Sequence, residues 1–388
     1  MRYDFDQVID RRGTDSSKWN VAENELPMWV ADMDFQTAPE IIEAMRVRLE
    51  HGVFGYTEVP DAWYAAYQRW WGTRHGLTLE KDWLVFCTGV NPAISTTVRK
   101  LTTPNENVVI QTPVYNVFYN CIRNNGCRVL ESPLRYEKQQ FTMDLEDLEE
   151  KLADPQTSLM LLCNPHNPVG KIWDRDTLAA IGALAKKHHV TVIADEIHCD
   201  ITDPGKDYVP FASVSEACRE VSISCMAPTK TFNLAGLQTA AVCVPDPVLR
   251  HKVWRGLNTD EVAEPNVFAA VAATAAFEKG APWLEELRAY IYENKKTVTG
   301  FIRRRIPEIT VIEGEATYLM WLDVSALGGG SREIAAYLRE KTGLFVSAGA
   351  VYGEHGGAFL RMNIACPKSV YMDGLNRLAD GVRQWQSR

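Results

Sequence analysis

Short apolar runs recur through the middle of the chain, several without any polar alternate: WLVFC (83–87), NVVIQ (107–111), LMLLC (159–163), VTVIAD (190–195), VSISC (221–225) and AAVCV (240–244). A strand buried on both faces has that pattern, and helices covering both faces of a largely parallel sheet produce it. Amphipathic stretches such as 174–188 lie between the runs. The alternation predicts an α/β, doubly wound sheet. The last third reads differently. Residues 283–305 predict a long helix charged on one side, 317–324 a strand, and GGGS at 328–331 a break. A helix near 332–341, two strands around 344–351 and 359–364, and a closing helix complete a smaller α+β unit. The expected organisation is an N-terminal segment (1–46) packing with the small domain, a large domain (47–285) and a small C-terminal domain (286–388), joined in the long helix near Pro282.

Composition narrows the function classes. The 388 residues are 46% hydrophobic and 23% charged, as in globular chains rather than disordered or fibrous ones. With 41 basic against 50 acidic residues, a formal charge of -9 and no basic tract, nucleic acid and anionic membranes are poor partners. The longest apolar run, 267–277, lies between Glu264 and Glu278; it is too short to cross a bilayer and Ala-rich enough for a packed helix. The polar first twenty residues show no apolar signal region. Nine cysteines, an odd number with no CxxC pair, read as buried thiols of a reducing cytoplasm.

Open α/β sheets bind ligands beyond the carboxyl ends of their strands. Asp195 ends VTVIAD, where a carboxylate needs a positive group, although a helix N-cap or a core ion pair would also account for it. Lys230, in PTKTFNLAGL, follows another strand. Desolvation there lowers an amine's pKa and makes it a nucleophile for carbonyls, whereas a solvated loop lysine would be inert. TGV (88–90) is a strand-to-helix turn, and Asn91 and Pro92 suit a first helical turn whose N–H groups can hold a phosphate. It is neither a GxGxxG nor a Walker loop, so nicotinamide and nucleotide readings lack support. NPHNPVG (164–170) turns sharply beyond LMLLC and offers the amide of Asn167. Tyr115, after NVVIQ, either stacks on a flat ligand or caps the core. His188, His189, His198 and Cys199 match no common zinc spacing, so no metal is expected. Together these strand ends supply a phosphate cradle, an aromatic ring, an amide, an acid and a lysine. A flat, phosphorylated pyridine aldehyde requires that set.

In this order, TGV, TPVY, NPHNPVG, ADEIH and PTKTFNLAGL resemble the fold-type-I pyridoxal-phosphate enzymes with aminotransferase class I/II features, over nearly the whole chain. PMWVADMDF (27–35), FGYT (54–57) and DEIHCD (195–200) are similar to the cystathionine β-lyase (C–S lyase) branch of the MalY/PatB type. The resemblance implies a mostly parallel seven-stranded sheet covered by helices, a smaller α+β domain and pyridoxal 5'-phosphate as cofactor. It implies that Lys230 carries the cofactor as an imine, Asp195 pairs with the ring nitrogen, Asn167 bonds the ring hydroxyl and Tyr115 stacks on the ring. Gly89, Val90 and Thr229 would contact the phosphate, and Tyr56 would reach that of a partner subunit in a homodimer. Arg361, in FLRMNIA, would grip the substrate carboxylate, with Tyr115 and Trp29 beside the substrate. Two positions depart from many relatives: Gln238 replaces an arginine eight residues after the lysine, and His198 a tyrosine three after the aspartate. His198 is then the expected ring-oxygen contact, and the helix dipole carries more of the phosphate charge. The implied activity is α,β-elimination from cystathionine or related cysteine S-conjugates, giving a thiol, pyruvate and ammonia. An aminotransferase would use the same residues, and a cofactor-dependent regulatory protein is a third reading.

Overall fold

The protein is described by a computed structural model covering residues 3–388; Met1 and Arg2, the first positions of the polar N-terminal segment, lie outside the described residues. The seven-stranded sheet has the order Leu84–Cys87, Ala240–Cys243, Ser222–Met226, Thr191–Asp195, Thr157–Cys163, Asn107–Ile110, Arg128–Glu131. Six strands run in one direction, and Ala240–Cys243 runs against both neighbours. The apolar runs form the inner strands; Asn107–Ile110 and Ser222–Met226, for example, are buried throughout. The edge strand Arg128–Glu131 was missed because it pairs on one side only, and its RVLE lacks an apolar run. A hairpin of Arg135–Glu137 and Gln140–Thr142 also escaped. Its turn residues Lys138 and Gln139 both adopt positive φ (49° and 64°) without the Asn-Gly signature of such turns.

Helices fit their sequence periods. In Arg175–Lys187, Leu178, Ile181, Gly182 and Ala185 form the buried stripe. The Asp174 carboxylate caps the helix, accepting from the Thr177 N–H at 2.7 Å. The Ala-rich run becomes the helix Ala269–Lys279. Among the described residues, no helix is long and apolar enough to cross a membrane.

A second, antiparallel sheet has the order Thr310–Ile312, Leu319–Asp323, Phe359–Asn363, Ser347–Ala348. The helix Ala281–Arg305 serves two cores. Trp283, Leu284, Leu287 and Ile291 join a cluster with Trp63, Trp71 and Phe277, whereas Val298 and Ile302 join one with Leu322, Leu360 and Leu375.

The N-terminal segment has little regular structure. Leu26–Pro27 pairs in parallel with Leu344–Phe345. Beyond it, Asn363 donates its side-chain amide to the Val30 and Asp32 carbonyls at 2.5 and 2.6 Å. Asn233 accepts from the Met33 N–H and donates to the Met33 and Phe35 carbonyls. Asp34, 4% exposed, accepts from the buried Lys18 at 2.7 Å, from Arg11 at 2.7 Å and from the Trp19 indole at 2.8 Å. Residues 28–35 are thus pinned by side chains from both halves of the fold. Removing one partner of a buried ion pair leaves the other uncompensated, at a cost of about 3–5 kcal/mol. Asp34→Ala should lower unfolding stability by less than that amount, because Asp32 stays beside Arg11 at 2.7 Å and Lys18 at 3.6 Å, and the loss should show as a reduced urea midpoint; an unchanged midpoint would show that this pairing does not hold the segment.

Candidate active site

The carboxyl ends of the parallel strands open into one cleft of about 900 Å³ between the two sheets. Trp29, Gly89, Val90, Tyr115, Asn167, Asp195, His198, Thr229, Lys230 and Arg361 all line it. Of the residues expected to bind cofactor or substrate, Tyr56 alone does not; it is fully solvent-exposed on this chain. Gln238 also lines the cleft. Ala240–Cys243 runs backwards, so the residues before it meet the carboxyl ends of its neighbours.

Lys230 sits in the turn after Ser222–Met226, partly buried, and donates from Nζ to the Ala31 carbonyl at 2.6 Å. Burial lowers its pKa to about 8; Asp32 and Asp195 raise it, and Arg361 lowers it further. Asp195, 4% exposed at the end of its strand, accepts the Ile197 N–H at 3.2 Å. Burial raises its pKa to about 6, against the pull of that N–H and of Lys230. His198 is pushed down to about 3 by burial and by the charges of Lys230 and Arg361, so its ring is neutral, and its Nδ1 has no hydrogen-bond partner.

Gly89 precedes the helix Val90–Leu101, whose start is capped by no side chain. A Cβ at Gly89 would come within 3.3 Å of the Pro92 ring, a tight approach that the ring would have to yield to by a few tenths of an ångström. Free N–H groups at such a start, with the Thr229 hydroxyl nearby in the cleft, suit an anion. Tyr115 accepts from the Asn91 amide at 3.3 Å, and burial raises its phenol pKa.

Arg361, on the strand Phe359–Asn363, is 5% exposed. It donates from Nη1 to Asn167 Oδ1 at 3.0 Å and from Nη2 to the Trp29 carbonyl at 2.7 Å. It lies over the Tyr352 ring at 4.7 Å, and its Nε is buried without a partner. A buried guanidinium with a spare donor is set up to take a carboxylate.

The donor set fits a flat phosphorylated aldehyde: a depressed amine, a buried carboxylate for a ring nitrogen, an uncapped helix start and a neutral histidine with an unpaired nitrogen. Sequence reasoning missed the Ala31 carbonyl, Tyr318, Tyr352, Arg339 and Phe345. Tyr318 donates to that same carbonyl at 3.0 Å. Only pairing of the N-terminal segment with a strand about 318 residues later brings several of these together, which no local pattern discloses. Outside the cleft, Asp200 of DEIHCD accepts from Trp70, His75 and Thr231 at 2.9–3.0 Å and from Arg74 at 3.1 Å. Burial would raise its pKa, but His75, Arg74 and Thr231 outweigh it, and Asp200 stays ionised as a structural anchor.

Similarity to known proteins runs the length of this architecture. Cystathionine beta-lyase PatB of Bacillus subtilis is 40% identical over 380 residues, covering 96% of this chain and 98% of PatB. A PLP-bound putative aminotransferase from Clostridium difficile superposes with a TM-score of 0.95 at 37% identity, covering 98% of this chain and 100% of its own. The PLP-bound C-S lyase from Staphylococcus hominis gives 0.92 at 30% identity, with 98% of each chain covered. The fold is that of the fold-type-I pyridoxal-phosphate transferases. The family model for aminotransferase class I and II matches residues 20–378, taking in both sheets and the cleft between them, and the chain belongs to that family.

Proposed function

We propose that this chain is a pyridoxal-phosphate-dependent C–S β-lyase, cleaving cystathionine or related cysteine S-conjugates to a thiol, pyruvate and ammonia. The observation that carries the reading is the joint placement of Lys230, Asp195 and Arg361 in one cleft, on a chain 40% identical to a cystathionine beta-lyase. When bound, pyridoxal phosphate supplies the electron sink for negative charge at the substrate Cα. Lys230 would hold the cofactor covalently, Asp195 would keep its ring nitrogen protonated, and Asn167 and His198 would take the ring oxygen. Tyr115 would cover the ring, and Gly89, Val90 and Thr229 would hold the phosphate.

Arg361 fixes the substrate carboxylate, its spare Nε matching an anion. The free Lys230 amine removes the Cα proton as general base, and Ala31 O is its acceptor when the amine is protonated. The Cβ–S bond breaks with its electron pair going to sulfur, and the released enamine hydrolyses to pyruvate and ammonia. Trp29 walls the side where the sulfur substituent leaves. An aminotransferase would use the same groups, and the Clostridium difficile relative keeps that reading in play.

The reading extends to a homodimer in the cytoplasm. Val47, Leu49, Val53, Phe54 and Tyr56 are exposed apolar or aromatic residues in one short stretch, the kind of surface a second subunit covers. All nine cysteines are free and buried, which suits a reducing compartment. A monomer in sedimentation equilibrium would remove the dimer.

Purified protein given cystathionine without any keto acid should form pyruvate over many turnovers, and Lys230→Ala should reduce that rate by about 10²–10⁴-fold. A single half-reaction in place of turnover would establish the aminotransferase. The neutral amine is the reactive form, so a Lys230 pKa of about 8 sets the pH profile of cofactor capture. Borohydride-trapped pyridoxal phosphate on Lys230 of the apo-protein should form about tenfold faster for each unit by which pH rises towards about 8, and level off above it. A rate still climbing at pH 10 would show an ordinary lysine.

A further inference from the structure

Arg361 accounts for the carboxylate of the reacting amino acid. The cleft has another guanidinium that the elimination chemistry does not use. Arg339 lines the cleft and lies 3.8 Å from the centroid of the Phe345 ring. That ring is stacked on Trp29, centroids 4.9 Å apart and planes 16° from parallel. Arg339 is held from one side by Glu25, which accepts from Nε at 2.5 Å and from Nη2 at 2.9 Å. Its Nη1 has no partner among the described residues. The Trp29 indole Nε1 is also buried without one. One turn back on the helix Ser331–Thr342, Ala335 and Ala336 line the same wall, and their short side chains leave room beside the stack.

We propose that Arg339, backed by the Phe345–Trp29 stack, is a specificity-determining residue that binds a carboxylate at the far end of the sulfur substituent. The favoured substrates are then cysteine S-conjugates whose leaving thiol carries an acid group, rather than S-alkyl cysteines. The inference rests on the lyase reading above and adds the chemistry of the leaving group. Glu25 holds the guanidinium plane in place, and the aromatic stack offers the thioether arm an apolar wall. Planarity matters, because a fork against a flat ring is pre-organised where an ammonium would not be. In the elimination itself Arg339 takes no proton; it orients the departing thiol.

The test compares S-(2-carboxyethyl)-L-cysteine with its near-isostere S-propyl-L-cysteine, with pyruvate as the readout. Wild-type holoenzyme should prefer the acid. Arg339→Ala should reduce that preference, the ratio of the two kcat/KM values, by about 10- to 100-fold, the size of one hydrogen bond to a charged group. The loss should fall in KM for the acid, and Arg339→Lys should restore part of the preference. A loss shared equally by both substrates would mean that Arg339 only supports the fold, and an unchanged ratio would mean that it does not meet the substituent; either overturns the proposal. No pyruvate from either thioether with wild-type enzyme would instead bring down the lyase reading on which the proposal stands.

Discussion

The bond from the Lys230 ammonium to the Ala31 carbonyl ties the chemistry to the architecture. A lysine at a strand end is expensive to desolvate, and here a main-chain oxygen from the far N-terminal part of the chain meets it. That oxygen is in place only because residues 28–35, which form neither helix nor strand beyond Leu26–Pro27, are held from every side. Asn363 reaches them from the small sheet, Asn233 from the lysine's own loop, and Lys18 with Arg11 through Asp34. The irregular segment acts as a wedge between two sheets, and its backbone hydrogen bonds are satisfied largely by side chains, with main-chain bonds at Met28 and Asp34.

The same enclosure sorts the titratable groups. Burial drives Lys230 down and Asp195 up, towards each other across neutral pH, and takes His198 far below it. Groups in one pocket with separated protonation behaviour can divide the roles of nucleophile, charge partner and neutral donor. Cleft residues that differ in role are therefore distinguished by depth and neighbours more than by residue type. Arg361 is held in its buried place by Asn167, a main-chain carbonyl and the Tyr352 ring.

Much of the sheet and its strand-end residues was legible in the sequence, and the reason is topological. In a parallel sheet the inner strands are apolar on both faces, and the residues just past their carboxyl ends must share one edge. Gly89, Tyr115, Asn167, Asp195 and Lys230 could be placed together by that rule before any contact was known. What failed to show was whatever depends on one-sided or distant pairing. The edge strand Arg128–Glu131 has a neighbour on one side only, and the Lys138–Gln139 turn lacks its usual residues. The burial of Arg361 escaped notice because its partners, Trp29 and Asn167, lie 332 and 194 residues away.

The position of Gln238 bears on why Lys230 titrates where it does. Where many relatives place an arginine, this chain has an uncharged amide, at the start of the one reversed strand. An anion at the start of the helix Val90–Leu101 then relies on main-chain N–H groups, the Thr229 hydroxyl and a helix dipole worth at most a couple of kcal/mol. Among the described residues, Arg361 is the one cation that lowers the lysine, and it acts less than burial does. The amine's reactivity therefore follows the hydration of the cleft more than its charge balance. The wedge of residues 28–35 acts on this lysine in two opposed ways: the burial it contributes to lowers the amine's pKa, while Asp32, which it carries, raises it, and burial outweighs the charge.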